Sequence, residues 1–247
     1  VGKSTLVNSL TGKRRMLVSP VPGTTRDAVD SLCMYYSRKY VLIDTAGIRR
    51  KDRAGYSVER FAMIRSMRSI ERSDVSVVLI DATAGISSDD QKIAGMVERY
   101  EKGAVFLFNK WDLIEDTEPA REKLIEDFNR KIWFFNHAPV LTTSGAEKKR
   151  ITNIFPIIDE VLKQRKKKVP TRQLNMLLKE MTLPLYRGKK IRLNYMAQIG
   201  TEPPRFVLFT TLPDAIKDAH MRHIESKIRE KFGFNGTPIR IHLKQKV

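Results

Sequence analysis

Five short segments carry residue types and spacings that could hold a nucleoside triphosphate. Val1-Gly2-Lys3-Ser4-Thr5 reads as the second half of the phosphate-loop pattern G-x-x-x-x-G-K-[ST]. In such a loop the backbone N–H groups around Gly2 cradle phosphates, Lys3 reaches the β and γ oxygens, and Ser4 binds Mg²⁺. PGTTRD (22–27) is a glycine-bearing loop with two hydroxyls, and Thr25, ahead of Thr24, is the one expected to close over the metal beside a γ-phosphate. DTAG (44–47) supplies Asp44, a hard oxygen ligand for the same Mg²⁺, usually through water. Gly47 lets the backbone approach the γ-phosphate with no Cβ in the way, and Thr45, Ala46 and Ile48 belong to the same nucleotide-binding stretch. Lys3, Thr25 and Gly47 are therefore the residues expected to act on the transferring phosphoryl group.

The base is chosen by NKWD (109–112). A carboxylate at Asp112 can accept from both N1–H and the exocyclic amine of guanine. Adenine offers no such donor pair, and a buried polar group left unpaired can cost a factor of about 10⁴–10⁵ in selection. Asn109 would brace the loop and reach the base edge, the Lys110 stem would pack against the ring, and Trp111 lies between them and the carboxylate. In TSGA (143–146) the backbone near Ser144, Gly145 and Ala146 would contact the guanine oxygen. All five segments occur in the order such a site requires, and GTP or GDP with Mg²⁺ is the ligand expected.

The elements that must position these loops alternate along residues 1–162. YVLID (40–44), VSVVLID (75–81), AVFLFN (104–109) and APVLTT (138–143) are short apolar runs suited to strands buried on both faces of a parallel sheet. Amphipathic stretches at 58–72, 89–100, 118–132 and 153–164 lie between them. That alternation predicts an α/β fold, an open and mostly parallel sheet with helices on both faces and ligand loops at the strand ends. The first glycine of the phosphate loop and the strand feeding it would lie ahead of Val1, so upstream residues are expected in the full protein.

A different pattern follows KQRKKKVPTRQLN (163–175), whose cations and Pro170 make it either a solvated linker or a direct RNA contact. Beyond it the chain reads helix (171–182), strand (190–199), strand (205–211), helix (214–231) and strand (237–244), a small α+β module. The expected division is therefore 1–164 and 165–247. Residues 163–247 hold 20 Lys+Arg against 6 Asp+Glu, a net of +14 out of +18 for the whole chain. A basic block beside a near-balanced one implies a polyanion-binding module attached to something else. No run approaches the ~18 apolar residues of a membrane span, and no signal-peptide pattern is seen in these residues. The single cysteine, Cys33, cannot form an internal disulfide, which fits a reducing cytoplasm.

The ordered motifs resemble the translation-factor-like GTPases, and PGTTRD narrows the likeness to the Era-like branch. DTAGIRRK (44–51), the stretch 56–75, IDATAGISSDDQKIAG (80–95) and NKWDLIE (109–115) closely resemble the second G domain of the Der (EngA) family. KKIRLNYMAQIGTEPPRFVLF (189–209) and the residues 228–241 look like the KH-like domain that ends those proteins. The resemblance spans essentially the whole chain. It implies a bacterial GTPase that turns GTP into GDP and phosphate in assembly of the large ribosomal subunit, with rRNA as partner and a further G domain preceding this one. It leaves K⁺ activation open. An Era or MnmE type of GTPase, or an rRNA-interaction module with negligible turnover, is the alternative. Era would need a GxxG flanked by helices and MnmE a C-terminal cysteine motif, and this sequence shows neither. The family usually has Ser-Ala in its last guanine motif where this chain has Ser144-Gly145-Ala146, which leaves the register of that loop open.

Other features have bland readings that outweigh the chemical ones. Gly233-Phe234-Asn235-Gly236 spells GxxG but precedes a strand pattern, so a plain turn is expected. His220 and His223 lack a third metal ligand nearby, and Asp89-Asp90 precedes a helix it would cap. KIWFFN (131–136) is expected in the core, and Cys33 as a small buried hydrophobe.

Overall fold

A computed structural model describes residues 2–11, 16–20, 30–43, 56–183 and 191–245. Val1, Thr25, Asp44, Thr45, Ala46, Gly47 and Ile48 lie outside the described residues. The chain forms two units, Val1–Asp159 and Glu160–Val247, and the division falls within helix α5 (Ile154–Lys166).

The first unit opens with helix α1 (Lys3–Thr11), whose first turn closes when Leu6 N–H donates to the Gly2 carbonyl at 2.9 Å. Leu6 and Leu10, one turn apart, are buried together with Ser9. Strands β1 (Met16–Pro20), β2 (Ser31–Tyr35) and β3 (Arg38–Leu42) form an antiparallel sheet in that order. Here the structure differs from the expectation of a parallel strand at 40–44. Tyr36 and Ser37 both take positive φ (44° and 64°), the geometry of a tight two-residue hairpin turn. That turn commits β3 to β2, with Cys33 opposite Tyr40. Lys39 and Val41 are exposed while Cys33 is fully buried.

The second sheet of this unit is the parallel one. Among the described residues it contains β4 (Val75–Asp81), β5 (Gly103–Asn109) and β6 (Val140–Thr142), with β5 central. Every residue of β5 is buried, as a strand covered on both faces must be. Phe106 of β5 packs edge-on against Phe128 at 4.7 Å and meets Phe135 at 5.6 Å. Phe128 belongs to α4 (Glu118–Lys131). In KIWFFN, Ile132 and Phe135 are fully buried, but Trp133 is 57% exposed, so that residue lies on the surface and not in the core. Helix α2 (Tyr56–Arg72) precedes β4, and α3 (Ser88–Arg99) follows it. The start of α3 is capped reciprocally: Asp90 N–H donates to Ser87 Oγ at 3.2 Å and Ser87 N–H to the Asp90 carboxylate at 2.9 Å.

The second unit has the expected order. Helix α6 (Thr171–Glu180), strands β7 (Leu193–Gly200) and β8 (Arg205–Thr210), helix α7 (Asp218–Phe232) and strand β9 (Arg240–Gln245) follow one another. β8 is central, antiparallel to β7 and parallel to β9. One face of the sheet packs on the helices through Met196, Phe206, Leu208, Leu174, Ile224 and Ile228. The cationic stretch after 163 is less free than a solvated linker. Arg165 and Val169 are buried, Val169 N–H donates to Gln198 Oε1 at 2.8 Å, and Gln198 Nε2 donates to the Lys167 carbonyl at 2.8 Å. The amide of Gln198 thus stitches the stretch to β7, while Lys163, Lys166 and Lys168 stay exposed.

Gly233–Gly236 is a turn with positive φ at Gly233, Phe234 and Gly236, and Phe234 is fully buried in the core. His220 Nδ1 accepts from Lys217 N–H at 3.0 Å at the start of α7. Among the described residues no group of three His, Cys, Asp or Glu is placed to hold a metal, and no helix is long and apolar enough to cross a membrane.

Candidate nucleotide site

Asn109 ends β5, two per cent exposed, at the strand end where the chain leaves the sheet. Lys110 takes φ +64°, turning the chain sharply into a short 3₁₀ turn, Trp111–Leu113. That turn is pinned to the neighbouring loop by Trp111 N–H donating to the Thr143 carbonyl at 3.1 Å. Asn109 Oδ1 accepts Gly145 N–H at 3.0 Å and the Thr143 hydroxyl at 3.5 Å. On its other side stands Gly2, at φ +89°, where a Cβ would come within 2.5 Å of Asn109 Nδ2. One buried amide therefore touches the phosphate-loop glycine and the TSGA loop together. Only glycine satisfies both the backbone angle and the space at position 2.

The TSGA loop is fastened from three directions. Ser9 Oγ of α1 donates to the Gly145 carbonyl at 2.6 Å. Ser144 and Lys149 exchange backbone hydrogen bonds of 3.2 and 3.0 Å, and Ser144 Oγ accepts from Glu147 N–H at 3.0 Å. Gly145 is buried and its backbone faces Asn109 and Leu6, while Ala146 is exposed. A Cβ at Gly145 would meet Leu6 N at 3.4 Å and Asn109 Oδ1 at 3.5 Å, ordinary contact. Glycine in place of the more usual alanine is thus sterically neutral there.

Lys110 Nζ lies 2.5 Å from the carboxylate of Asp81, the residue opposite Asn109 at the end of β4. Asp81 also accepts from the Thr83 hydroxyl at 2.7 Å and Thr83 N–H at 3.1 Å. The Lys110 bond first, then the Thr83 hydroxyl, bring the Asp81 carboxyl down to about 2. Asp112 stands exposed in the 3₁₀ turn. Lys149 is raised chiefly by its bond to Glu147 and further by the charge of Asp112, so a carboxylate of one loop is felt by a lysine of the other.

A third carboxylate joins these loops. Asp116 Oδ1 accepts from Trp111 Nε1 at 2.7 Å and Arg121 Nε at 2.8 Å, while Oδ2 accepts from Arg150 at 3.0 Å. Arg150 also donates to the Thr142 hydroxyl at 2.7 Å. Arg121, then Trp111 and Arg150, hold the Asp116 carboxyl well below the usual carboxylate range.

The structure thus brings together Gly2, Asn109 and Gly145, with Lys110, Trp111, Asp112 and Ser144 on the same strand ends and with Lys3, Ser4 and Thr5 in the first turn of α1. Lys3 and Thr5 are exposed and Ser4 half-buried. Ser9, Asp81, Asp116 and Arg150 are the residues that sequence reasoning missed. Ser9 reaches Gly145 across 136 positions of chain and Asp116 meets Arg150 across 34, while Asp81 pairs with Lys110 on the neighbouring strand end, contacts for which no local pattern gives a signal.

Comparisons with known proteins identify the family. The family described as 50S ribosome-binding GTPase matches residues 1–110. The KH-domain-like, C-terminal region of EngA bacterial GTPase enzymes matches residues 168–244. A GTPase Der from Thermodesulfovibrio yellowstonii is 45% identical over 257 residues, covering 100% of this chain and 57% of its own length. Another, from Natranaerobius thermophilus, is 40% identical over 245 residues, covering 98% and 56%. A crystal structure of an Aquifex aeolicus Era variant bound to GDP and aluminium fluoride covers 100% of this chain and 89% of that one, at 20% identity and a TM-score of 0.48. The chain spans less than two thirds of the length of the curated relatives it matches. With two family matches in chain order and 40–45% identity to these two relatives along essentially its whole length, the chain belongs to the GTPase Der (EngA) family.

Proposed function

We propose that the chain binds GTP at this site, hydrolyses it to GDP and phosphate, and works in assembly of the large ribosomal subunit through a basic second unit that meets rRNA. The observation that carries the nucleotide reading is Asn109, buried between Gly2 and Gly145 with an exposed Asp112 beside it. Asp112 accepts from the guanine edge, the loop at Ser144–Ala146 meets the guanine oxygen, and the N-terminal end of α1 meets phosphate through backbone N–H groups and Lys3. The cradle at Gly2, closed to any Cβ, fits close approach of backbone to a phosphate.

Ser4, Thr25 and Asp44 are oxygen donors, the chemistry Mg²⁺ prefers, and Ser4 sits in the first turn of α1 next to that cradle. When bound, the ion neutralises charge on the β and γ oxygens. Ile48, after DTAG, has no hydrogen-bonding side chain, so water positioning falls to backbone, a monovalent cation such as K⁺, or the ribosomal partner. Intrinsic hydrolysis is accordingly slow. The family resemblance and the relatives' greater length support a preceding G domain in the same polypeptide.

The test is nucleotide selection. Asp112→Asn moves preference from GTP toward XTP, since an amide donates where the carboxylate accepted. Unchanged GTP selectivity in competition would sink the assignment. Single-turnover hydrolysis in Na⁺ or K⁺, with and without large subunits, then locates the missing water-positioning element. Fast turnover in Na⁺ alone would contradict the reading of Ile48.

A further inference from the structure

Side chains alternate across the second unit's sheet, and its two faces are chemically unlike. Met196, Phe206 and Leu208 point into the core beneath α6 and α7, with Ile241 and Leu243 packed against it. The intervening positions form rows on the opposite face. Tyr195 stands opposite Phe209 and Phe209 opposite Lys244; Ala197 opposite Val207 and Val207 opposite His242; Gly200 opposite Arg205 and Arg205 opposite Arg240. Tyr195 is 45% exposed and Ile199 60%, and the Tyr195 and Phe209 rings lie 6.0 Å apart. β7, β8 and β9 contain Arg205, Arg240 and Lys244 and not one Asp or Glu. An exposed tyrosine and isoleucine beside a half-buried phenylalanine, on strands whose charged residues are all cations, suit a ligand that is both aromatic and anionic.

The Gly233–Gly236 turn cannot serve as a backbone clamp between two helices, because Phe234 is in the core and β9 follows directly. An RNA contact by this unit must fall elsewhere. We propose that the open sheet face is a docking platform for a single-stranded RNA segment, its bases stacked on Tyr195 and Phe209 and its phosphates along the Arg205, Arg240, His242 and Lys244 side. This rests on the rRNA reading above and names the surface that serves it. The net charge of +14 over residues 163–247 supplies the attraction. Rows in adjacent strands lie about 4.8 Å apart, so a base on Tyr195 or Phe209 leaves its phosphate within reach of the β9 side chains.

The experiment measures fluorescence anisotropy of the protein with a labelled 12-nucleotide oligouridylate and with an abasic ribose-phosphate oligomer of equal length, across a salt series. Stacking is tolerant of sequence, so this probe suffices. The expected results are tighter binding of the oligouridylate, about a tenfold loss with Tyr195→Ala, near-normal binding with Tyr195→Phe, and little effect of either on the abasic chain. Lys244→Ala weakens both ligands and lowers the slope of log K against log salt by about one. Both positions are exposed, so melting temperatures should be unchanged. If Tyr195→Ala binds normally while neutralising Lys166, Lys167 and Lys168 abolishes binding, the sheet face is refuted and the rRNA reading stands. If the unaltered protein binds neither oligomer, or binds without salt dependence, both readings fall.

Discussion

Asp116 and Arg150, 34 residues apart in sequence, meet at 3.0 Å behind the two loops assigned to guanine. The same carboxylate holds Trp111 Nε1, so it ties the NKWD turn to the segment following TSGA. Its two arginine partners are about half exposed, and ion pairs of that kind contribute little to stability. Loss of the clip should show in binding before it shows in folding. Asp116→Ala is expected to weaken GDP affinity about three- to tenfold, by fluorescent-nucleotide titration, with a melting temperature within a few degrees of the parent. Equal affinity would show that the loops hold their geometry without it.

Gly2 and Gly145 give a matched pair. Alanine at position 2 would place a Cβ 2.5 Å from Asn109 Nδ2 on a backbone at φ +89°, while alanine at 145 would make contacts of 3.4 and 3.5 Å. A strained left-handed residue costs on the order of 1–3 kcal/mol. Gly2→Ala should therefore lower nucleotide affinity tenfold or more and Gly145→Ala hardly at all. Isothermal titration calorimetry of the two proteins side by side decides it.

Acid should act on the Asp81–Lys110 pair within a defined window. Asp81 titrates at about 2 when folded against an ordinary 3.8. A depressed folded value stabilises the native state above the unfolded value, and that contribution disappears as pH falls through the folded one. In urea titrations Asp81→Asn should be less stable than the parent at pH 6, and the gap should close between about pH 4 and pH 2. A gap independent of pH would mean the variant acts by packing instead.

Cys33 should behave as a core residue. It is fully buried, and burial pushes its thiol up to about 11. Thiol reagents at pH 8 should leave the native protein unmodified and label it at the rate of unfolding as urea is added. Rapid native labelling would contradict the packing of β2.

Much of this was legible in the residues alone, for physical reasons that can be named. β5 matches the apolar run 104–109 because a strand covered on both faces writes an unbroken apolar run. Asp89-Asp90 announce the start of α3 because a cap is a local hydrogen-bond arrangement, though the N-cap itself is Ser87 and the pair lies in the first turn. The strand at 38–42 was misread because YVLI looks like a buried run, while its partner is set by a Tyr36-Ser37 turn that lacks the usual Asn-Gly signature. Asn109, Gly145 and Gly2 could be picked out as motif members, yet their mutual contact could not. Asp116 and Arg150 belong to no motif, and only folding brings them together.

The position of Asn109 between the phosphate-loop glycine and the TSGA loop has a thermodynamic consequence. On the proposed site, the two ends of a bound nucleotide would share one buried residue and would not be recognised independently. Guanosine alone would restrict Asn109 and with it the space around Gly2, raising the affinity for free pyrophosphate. By reciprocity pyrophosphate would raise the affinity for guanosine by the same factor. A triphosphate with the wrong base then forfeits its base contacts and also the order that the base confers on the loop holding its phosphates.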